Sequence, residues 1–188
     1  MSPLAQKIMV GITGASGSLY AYQLLKYLKE NTPHEIHIVA SPNGYRIFKE
    51  ELNLNIQDMG YPVVSHKEYD IPCVSGSNTF DQLVIIPGSM GTIARIAHGL
   101  STDTLTRTAD VIIKEKRKLI IVPRETPFSL IHLENLKILA LNGAIIIPAI
   151  PSFYSHPATV EELAATVTSR VLDHMGISNN LMKRWMQS

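Results

Sequence analysis

The chain has 188 residues, of which 45% are apolar, enough to fill the core of one domain that places a sheet between two helix layers. Its 17 Lys and Arg residues balance its 16 Asp and Glu residues, so it lacks the net charge that would hold it on nucleic acid or an anionic membrane. The single Cys73 excludes an internal disulfide, and we expect a half-buried apolar side chain in a reducing compartment. Neither a membrane-spanning run nor a secretory signal pattern is present, which predicts a cytoplasmic protein that binds a small ligand.

Short apolar runs alternate along the chain with longer helical patterns. The runs predict five buried strands, at residues 8–12, 36–40, 83–86, 119–122 and 144–147. The other segments predict helices at residues 18–30, 44–52, 92–99, 104–116, 129–141 and 160–175. This alternation is typical of a three-layer α/β/α protein with a doubly wound parallel sheet, Rossmann-like or flavodoxin-like, and we expect residues 1–188 to form a single domain.

Residues 60–79 interrupt the alternation. This segment contains Pro62, Pro72 and Gly76, and it predicts a long loop with at most one short strand. Loops of this length inside a compact domain are usually functional or mobile.

Three of the predicted strands run directly into proline, at Pro87, Pro123 and Pro148. Because proline has no N–H to donate, we expect each strand to stop there. The residues that follow, 88–92, 124–126 and 151–154, should gather at the carboxyl edge of the sheet, where open α/β folds bind their ligands.

The first strand leads into a glycine-rich loop with Gly11, Gly14 and Gly17. Small residues there would let backbone N–H groups approach a phosphate at the positive end of the next helix. The spacing is not the G-x-G-x-x-G of dinucleotide sites, and Ser41 ends the second strand where a dinucleotide enzyme would place Asp or Glu. The pattern therefore favours a mononucleotide.

A second cluster of glycine and hydroxyl residues, at 87–92, also follows a strand and precedes a helix. Either loop alone is compatible with tight packing and nothing more. Together with Ser41, the two loops favour a nucleotide site.

Four cations could converge, since Arg107 and Lys114 share one face of a predicted helix, Arg124 follows the next strand and Arg170 lies on the last helix. They either converge on an anion or are four separate solvated charges, which is the commoner case for single Lys and Arg residues. The sequence contains no Asp-Asp-x-x-Asp cluster for magnesium and no zinc motif among its seven His residues. We therefore expect no metal, and Arg, Lys and hydroxyl groups would bind any anionic substrate.

Six motifs, in this order, resemble those of the UbiX-type flavin prenyltransferases. They are Gly-Ile-Thr-Gly-Ala-Ser-Gly (11–17), Pro-Gly-Ser-Met-Gly-Thr (87–92), Leu-Thr-Arg-Thr-Ala-Asp (105–110), Lys-Glu-Lys-Arg (114–117), Pro-Arg-Glu-Thr-Pro (123–127) and Pro-Ser-Phe-Tyr (151–154). The likeness extends from about Lys7 to Trp185, and residues 123–127 are its most specific part.

The resemblance implies that reduced FMN accepts a dimethylallyl group from dimethylallyl phosphate at N5 and C6. The product would serve UbiD-type decarboxylases, as in ubiquinone biosynthesis. The implied FMN contacts are Gly14, Ala15, Ser16, Ser41, Ser89, Met90, Gly91, Thr92 and Arg124. The implied contacts to the prenyl phosphate are Lys114, Tyr154 and Arg170, with Arg107 nearby.

The resemblance also implies catalytic roles for Lys114, Ser16, Glu125 and Glu51. Cations such as Lys114 on the leaving phosphate would favour ionisation of the allylic C–O bond. Ser16 and Glu125 would relay the proton that leaves during ring closure. Glu51 matches a family carboxylate near the same site, although a solvated helix end is an equal alternative.

Relatives of this type assemble into closed dodecamers with the site between subunits, so the resemblance implies a homo-oligomer in which Tyr154 and Arg170 serve a neighbouring subunit. Two other functions stay open. The first is an FMN-dependent cysteine decarboxylase, which needs a histidine ahead of the third buried strand; His66 is the nearby candidate, but it lies far before Leu83. The second is a non-catalytic FMN carrier, which would need no cluster of Arg107, Lys114 and Arg170.

Overall fold

The computed structural model describes residues 5–71 and 74–186; Cys73 lies outside them. The strands are β1 (Lys7–Ile12), β2 (Glu35–Ala40), β3 (Val63–Val64), β4 (Gln82–Gly88), β5 (Lys118–Pro123) and β6 (Ile145–Ile146). The α-helices are α1 (Ser18–Asn31), α2 (Pro42–Leu52), α3 (Met90–Ala97), α4 (Thr104–Lys114), α5 (Leu130–Leu141) and α6 (Val160–Met175). The five predicted strands and six predicted helices are all confirmed.

The six strands form one parallel sheet in the order β3-β2-β1-β4-β5-β6. Val10 in the middle of β1 pairs with Ile38 of β2 on one side and with Val84 of β4 on the other. This is the doubly wound Rossmann-type order, in which the direction of chain winding reverses between β1 and β4. The loops after β1 and β4 therefore lie side by side at the carboxyl edge of the sheet.

Alternate residues of the buried strands pack against two separate helix layers. Ile8 and Val10 of β1 face the layer of α1, α2 and α6. Met9, between them, faces the layer of α3, α4 and α5. Because successive strand side chains point to opposite faces, apolar residues at every position are needed to fill both layers.

The prediction that proline ends the strands is wrong for β4, which continues through Pro87 to Gly88. The ladder shifts register here, so that Ile85 pairs with Ile121 and Gly88 with Pro123. Pro87 has no N–H to donate, but its carbonyl accepts a hydrogen bond from the Thr13 amide. In β5, Pro123 is the last strand residue, as the sequence predicts.

The segment predicted as a long loop contains the two-residue β3 and a short 3-10 turn at Gly76–Asn78. This agrees with the expectation of at most one short strand. Within the described residues, no helix is long and apolar enough to cross a membrane.

Candidate functional site

Thr13 joins the two glycine loops at the point where the winding reverses. Its hydroxyl donates to the Pro87 carbonyl at 2.7 Å and accepts from the Ser89 amide at 2.7 Å. The side chain is buried, so these bonds form away from water and hold the loops at a set separation. Sequence reasoning missed this residue, although a lone threonine between a buried strand and a glycine is a signal for such a link.

A cleft of about 330 Å³ opens beside this link. The residues that line it are Gly14, Ser41, Pro42, Asn43, His66, Ser89, Gly91, Thr92 and Arg95. Five of them were predicted to bind the cofactor: Gly14, Ser41, Ser89, Gly91 and Thr92. Met90 is different, since its side chain packs in the core, which leaves its backbone N–H as the group that can face a ligand.

The N-terminus of α3 points its first-turn amides toward the cleft without a cap. Ser89 is the N-cap residue, but its hydroxyl donates to Thr92 Oγ1 at 3.1 Å and makes no capping bond. Among the described residues, no acceptor is found for the amides of Met90, Gly91 and Thr92. Free amides at a helix N-terminus bind anions, and phosphate above all.

The N-terminus of α2 borders the same cleft, but the side chain of its N-cap residue, Ser41, already caps it. The Ser41 hydroxyl accepts from the Gly44 amide at 3.0 Å. Gly44 has to be glycine here, because a Cβ would lie 2.5 Å from the Ile12 carbonyl oxygen. The hydrogen of the Ser41 hydroxyl is left to donate to a ligand.

The sequence predicted that the N-terminus of α1 binds a phosphate, but a side chain of the protein itself occupies this position. Gly17 adopts a φ of 111°, a conformation that favours glycine. The Glu51 carboxylate, from the end of α2, accepts from the Gly17 amide at 3.0 Å and from the Ser18 amide at 2.7 Å. The chain thus supplies its own anion at this helix end, and Glu51 makes specific hydrogen bonds there although it is exposed to solvent.

Burial raises the pKa of the Glu51 carboxyl, but hydrogen bonds from the Ser16 hydroxyl and from Ser18 and Gly17 outweigh it. The net pKa is lower than the ordinary value, so Glu51 is ionised at neutral pH.

Ser16 lies between Glu51 and Arg124. The Arg124 Nε donates to the Ser16 carbonyl at 3.1 Å. Burial raises the pKa of the Tyr20 phenol, and the charge of Arg124 offsets part of this increase. Three predicted site residues thus lie close together, from the loop after β1, from α2 and from the loop after β5. Glu125, next along the chain, accepts from the Thr126 amide at 3.0 Å and lines a neighbouring cavity of about 280 Å³ with residues 123–128 and 148–150.

The remaining predicted cations do not converge in one copy of the chain. Arg107 pairs with Asp110 at 2.8 Å and Lys114 with Glu115 at 2.9 Å, both from α4. Arg170 belongs to α6, and α4 and α6 pack on opposite faces of the sheet. Of the two alternatives that the sequence left open, a single chain therefore favours separate charges for Arg107, Lys114 and Arg170.

Tyr154 and Arg170 each belong to a cluster formed with the C-terminal segment. The Tyr154 ring packs edge-on against Trp185, with ring centroids 5.4 Å apart. Arg170 donates to Asp173 at 2.7 Å, and Arg184 binds both oxygens of that carboxylate. The hydrogen bond from Arg184, with its charge and that of Arg170, lowers the pKa of Asp173.

Arg95, Asp103 and His66 form a polar group at the cleft that the sequence did not indicate as a site. Arg95 donates to the buried Asp103 carboxylate, and the His66 Nε2 lies 3.9 Å from the same carboxylate. A signal existed for Asp103 alone, since an Asp directly before a helical pattern is a typical N-cap. The described residues contain no group of three or more His, Cys, Asp and Glu residues that could bind a metal.

Comparison with known proteins relates this site to flavin enzymes. The family model described as Flavoprotein matches residues 3–172. A flavin prenyltransferase UbiX of Methanocaldococcus jannaschii is 45% identical over 95% of this chain and 98% of its own length.

Two solved structures superpose with a TM-score of 0.93 each. One is AnUbiX (PadA1) in complex with FMN and dimethylallyl pyrophosphate, 33% identical, covering 98% of this chain and 99% of its own. The other is a dodecameric FMN-dependent UbiX-like decarboxylase from Escherichia coli O157:H7, 36% identical, covering 96% of this chain and all of its own.

The cysteine decarboxylase alternative is weaker, although the structure brings His66 to the cleft despite its distance from Leu83 in the sequence. TvaF, an FMN-dependent cysteine decarboxylase, superposes with a TM-score of 0.61 at 15% identity over 75% of this chain and 88% of its own. A likeness at that identity shows a shared fold and nothing about the reaction.

Proposed function

The chain belongs to the flavin prenyltransferases of the flavoprotein family, and from that premise we propose that it joins a dimethylallyl group from dimethylallyl phosphate to N5 and C6 of reduced FMN. The observation that carries the proposal is the pair of adjoining sites at the carboxyl edge. One is a cleft that suits a phosphate. The other is the contact of Ser16, Glu51 and Arg124.

The residues around the cleft fit FMN by their chemistry. A mononucleotide needs donors for one terminal phosphate, and the open amides of α3 with the hydroxyls of Ser41 and Thr92 supply them. Gly14, Ala15, Ser16, Ser41, Arg124 and residues 89–92 hold the flavin. No carboxylate lines the cleft among the described residues, so nothing there repels the phosphate.

Reduced FMN supplies an electron-rich ring that accepts the allyl carbon as its C–O bond to phosphate breaks. The chain's own groups orient that ring and move protons. Arg124 fixes the Ser16 backbone, and the Ser16 hydroxyl is one of the groups that lower the pKa of the Glu51 carboxyl. Because Glu51 is ionised, it holds Ser16 as a donor, and Ser16 with Glu125 then carries away the C6 proton as the ring closes.

Donor binding relies on Lys114, Tyr154 and Arg170, with Arg107 nearby, and these side chains belong to different faces of one chain. They can bind one phosphate when copies of the chain assemble, so that Lys114 comes from one copy and Tyr154 and Arg170 come from a neighbouring copy. The dodecameric relative supports such an assembly. Guanidinium and ammonium groups on the leaving oxygens then stabilise the charge that develops as the C–O bond breaks.

Exposed apolar side chains support the same assembly. Helix α5 buries Leu136 and Leu139 but leaves Leu130 73% exposed, Ile131 71% exposed and Leu141 78% exposed. Apolar surface of this kind, at both ends of one helix, is typical of protein–protein interfaces.

Anaerobic incubation of the protein with reduced FMN and dimethylallyl phosphate, followed by mass analysis of the flavin, tests the reaction. We expect a gain of one C5H8 unit and release of phosphate. A parallel incubation with the diphosphate tests the choice of donor, and we expect the monophosphate to react faster. An unchanged flavin mass with both donors would refute the proposal.

Coexpression of two inactive variants tests whether the site is shared. Arg124→Ala removes a flavin contact and Arg170→Ala removes a phosphate contact. If the two groups serve one site from different subunits, mixed assemblies regain part of the activity. Light scattering that shows an active monomer would contradict the shared site.

We further propose that the product passes to a UbiD-type decarboxylase.

A further inference from the structure

Among the described residues that line the cleft, Arg95 is the one that carries a permanent charge. It lies one helical turn after Thr92 on α3, and its Nη2 donates to Thr92 Oγ1 at 3.1 Å. Its Nε donates to the Gly91 carbonyl at 3.3 Å. The guanidinium is therefore fixed against the first turn of α3, whose residues Gly91 and Thr92 line the same cleft.

Asp103 holds the guanidinium from the opposite side. This side chain is 4% exposed and accepts a hydrogen bond from Arg95 Nη1. Asp103 also caps α4, because its Oδ1 accepts from the amide and the hydroxyl of Thr106. Burial raises the pKa of Asp103, but the bonds from Thr106 and the Arg95 charge outweigh burial and lower it.

These contacts leave donors that face the cleft. A guanidinium has five N–H groups, and the bonds to Gly91, Thr92, Thr102 and Asp103 use four of them. Thr92 Oγ1 already accepts from Arg95 and Ser89, so its own hydrogen is left to donate. One N–H of Arg95 and one O–H of Thr92 are therefore left to donate to a ligand in the cleft.

We infer that Arg95, oriented by Asp103, recognises the terminal phosphate of the flavin and sets the preference for a phosphorylated over an unphosphorylated flavin. This inference rests on the proposed function and deepens it. An aligned guanidinium adds charge-assisted hydrogen bonds to phosphate. Riboflavin ends in a hydroxyl where FMN carries the phosphate, so it gains little from the charge.

Binding of FMN and of riboflavin, followed by quenching of flavin fluorescence on the full chain, tests the inference. For Arg95→Gln we expect FMN to bind at least about tenfold more weakly, equivalent to about 1.4 kcal/mol, with riboflavin changed by less than a factor of about three. Arg46→Gln is the matched control, since Arg46 is an exposed arginine of α2 paired with Glu50, and both affinities should stay as in the wild type.

Asp103→Asn separates phosphate recognition from support of the fold. Asparagine keeps an oxygen for the cap on α4 but loses the carboxylate oxygen that orients Arg95, so we expect FMN affinity to fall by less than in Arg95→Gln and riboflavin affinity to stay unchanged. A purely structural ion pair predicts that both single variants lose affinity for both flavins. If Arg95→Gln fails to fold because Asp103 is left buried without its partner, the double variant Arg95→Gln with Asp103→Asn gives the same comparison.

The outcomes distinguish the two proposals. Equal losses for FMN and riboflavin in Arg95→Gln, or no loss for either, would overturn the role of Arg95 while FMN binding by the wild type stands. A wild-type protein that binds neither flavin would contradict the proposed function itself.

Discussion

The N-termini of α1 and α3 lie at the same carboxyl edge of the sheet, yet they are completed in different ways. At α1, the Glu51 carboxylate accepts from the Gly17 and Ser18 amides. At α3, no acceptor for the first-turn amides is found among the described residues, and a guanidinium lies beside them. A helix N-terminus attracts negative charge. The chain supplies that charge at α1, whereas a ligand has to bring it to α3.

The largest effect is expected from making α3 resemble α1. Gly91 is exposed, and a Cβ added to it meets nothing within 4 Å, so Gly91→Asp fits and places a carboxylate over the free amides. We expect FMN affinity to fall about 100-fold, roughly 3 kcal/mol, because the carboxylate takes the amides and repels the phosphate. Titration of flavin fluorescence checks this.

Gly91→Asn is the control, since it has nearly the same size without the charge. We expect it to weaken FMN binding far less than Gly91→Asp does. Equal losses for the two variants would mean that steric blocking, and not charge, explains the effect.

The opposite change removes the anion from α1. Glu51→Ala deletes the acceptor of the Gly17 and Ser18 amides, and we expect the free energy of unfolding to fall by about 1–2 kcal/mol, as for lost helix caps. Urea denaturation measures it. Glu50→Ala is the neighbouring control, because Glu50 forms an exposed pair with Arg46, and its loss should cost less than about 0.5 kcal/mol. A similar cost for both variants would contradict the capping role.

The two N-termini also mark what can be predicted from the sequence. Ser41 and residues 89–92 were found because each follows a buried run and precedes a helical pattern, and a local motif carries that information. The contact of Glu51 with Ser18 joins residues 33 positions apart, and only the packing of α2 beside α1 creates it. The resemblance indicated Glu51 near the site, but no local pattern shows that its carboxylate caps a helix.

Strand ends and paired charges were harder to predict for the same reason. The rule that proline ends a strand rests on its missing N–H. In β4 the strand continues, and the Pro87 carbonyl accepts a hydrogen bond from Thr13, which lies in the loop after β1. The four cations were grouped by their spacing along the chain. The sheet then separates Arg107 and Lys114 from Arg170, because the faces to which α4 and α6 pack depend on chain winding.

A smaller effect at α3 is expected from Thr92→Val. The substitution keeps the shape but removes a hydroxyl that accepts from Arg95 and Ser89. We expect FMN affinity to fall about fivefold, roughly 1 kcal/mol, measured by the same titration. Thr108→Val is the matched control, since it removes a buried hydroxyl that bonds within α4, and FMN affinity should not change. An unchanged affinity in Thr92→Val would show that the helix amides act without this hydroxyl.

The smallest effect concerns pH, and it isolates the charge at α1. The folded state lowers the pKa of Glu51, so its contribution to stability is fully present above the unfolded value of about 4.3. The contribution is lost as pH falls through the lower folded pKa, because the unfolded state then binds the proton more readily.

Since Glu51 is exposed to solvent, we expect the charge-dependent part to be below about 1 kcal/mol. Absolute stability also falls in acid through Asp103 and Asp173, whose pKa values are lowered too. The informative quantity is therefore the difference in unfolding free energy between wild type and Glu51→Ala, measured at pH 7 and near pH 3. That difference should shrink in acid. If the Glu51 difference persists at low pH, its carboxyl acts at α1 through hydrogen bonds alone, and the contrast with the cationic N-terminus of α3 is not one of charge.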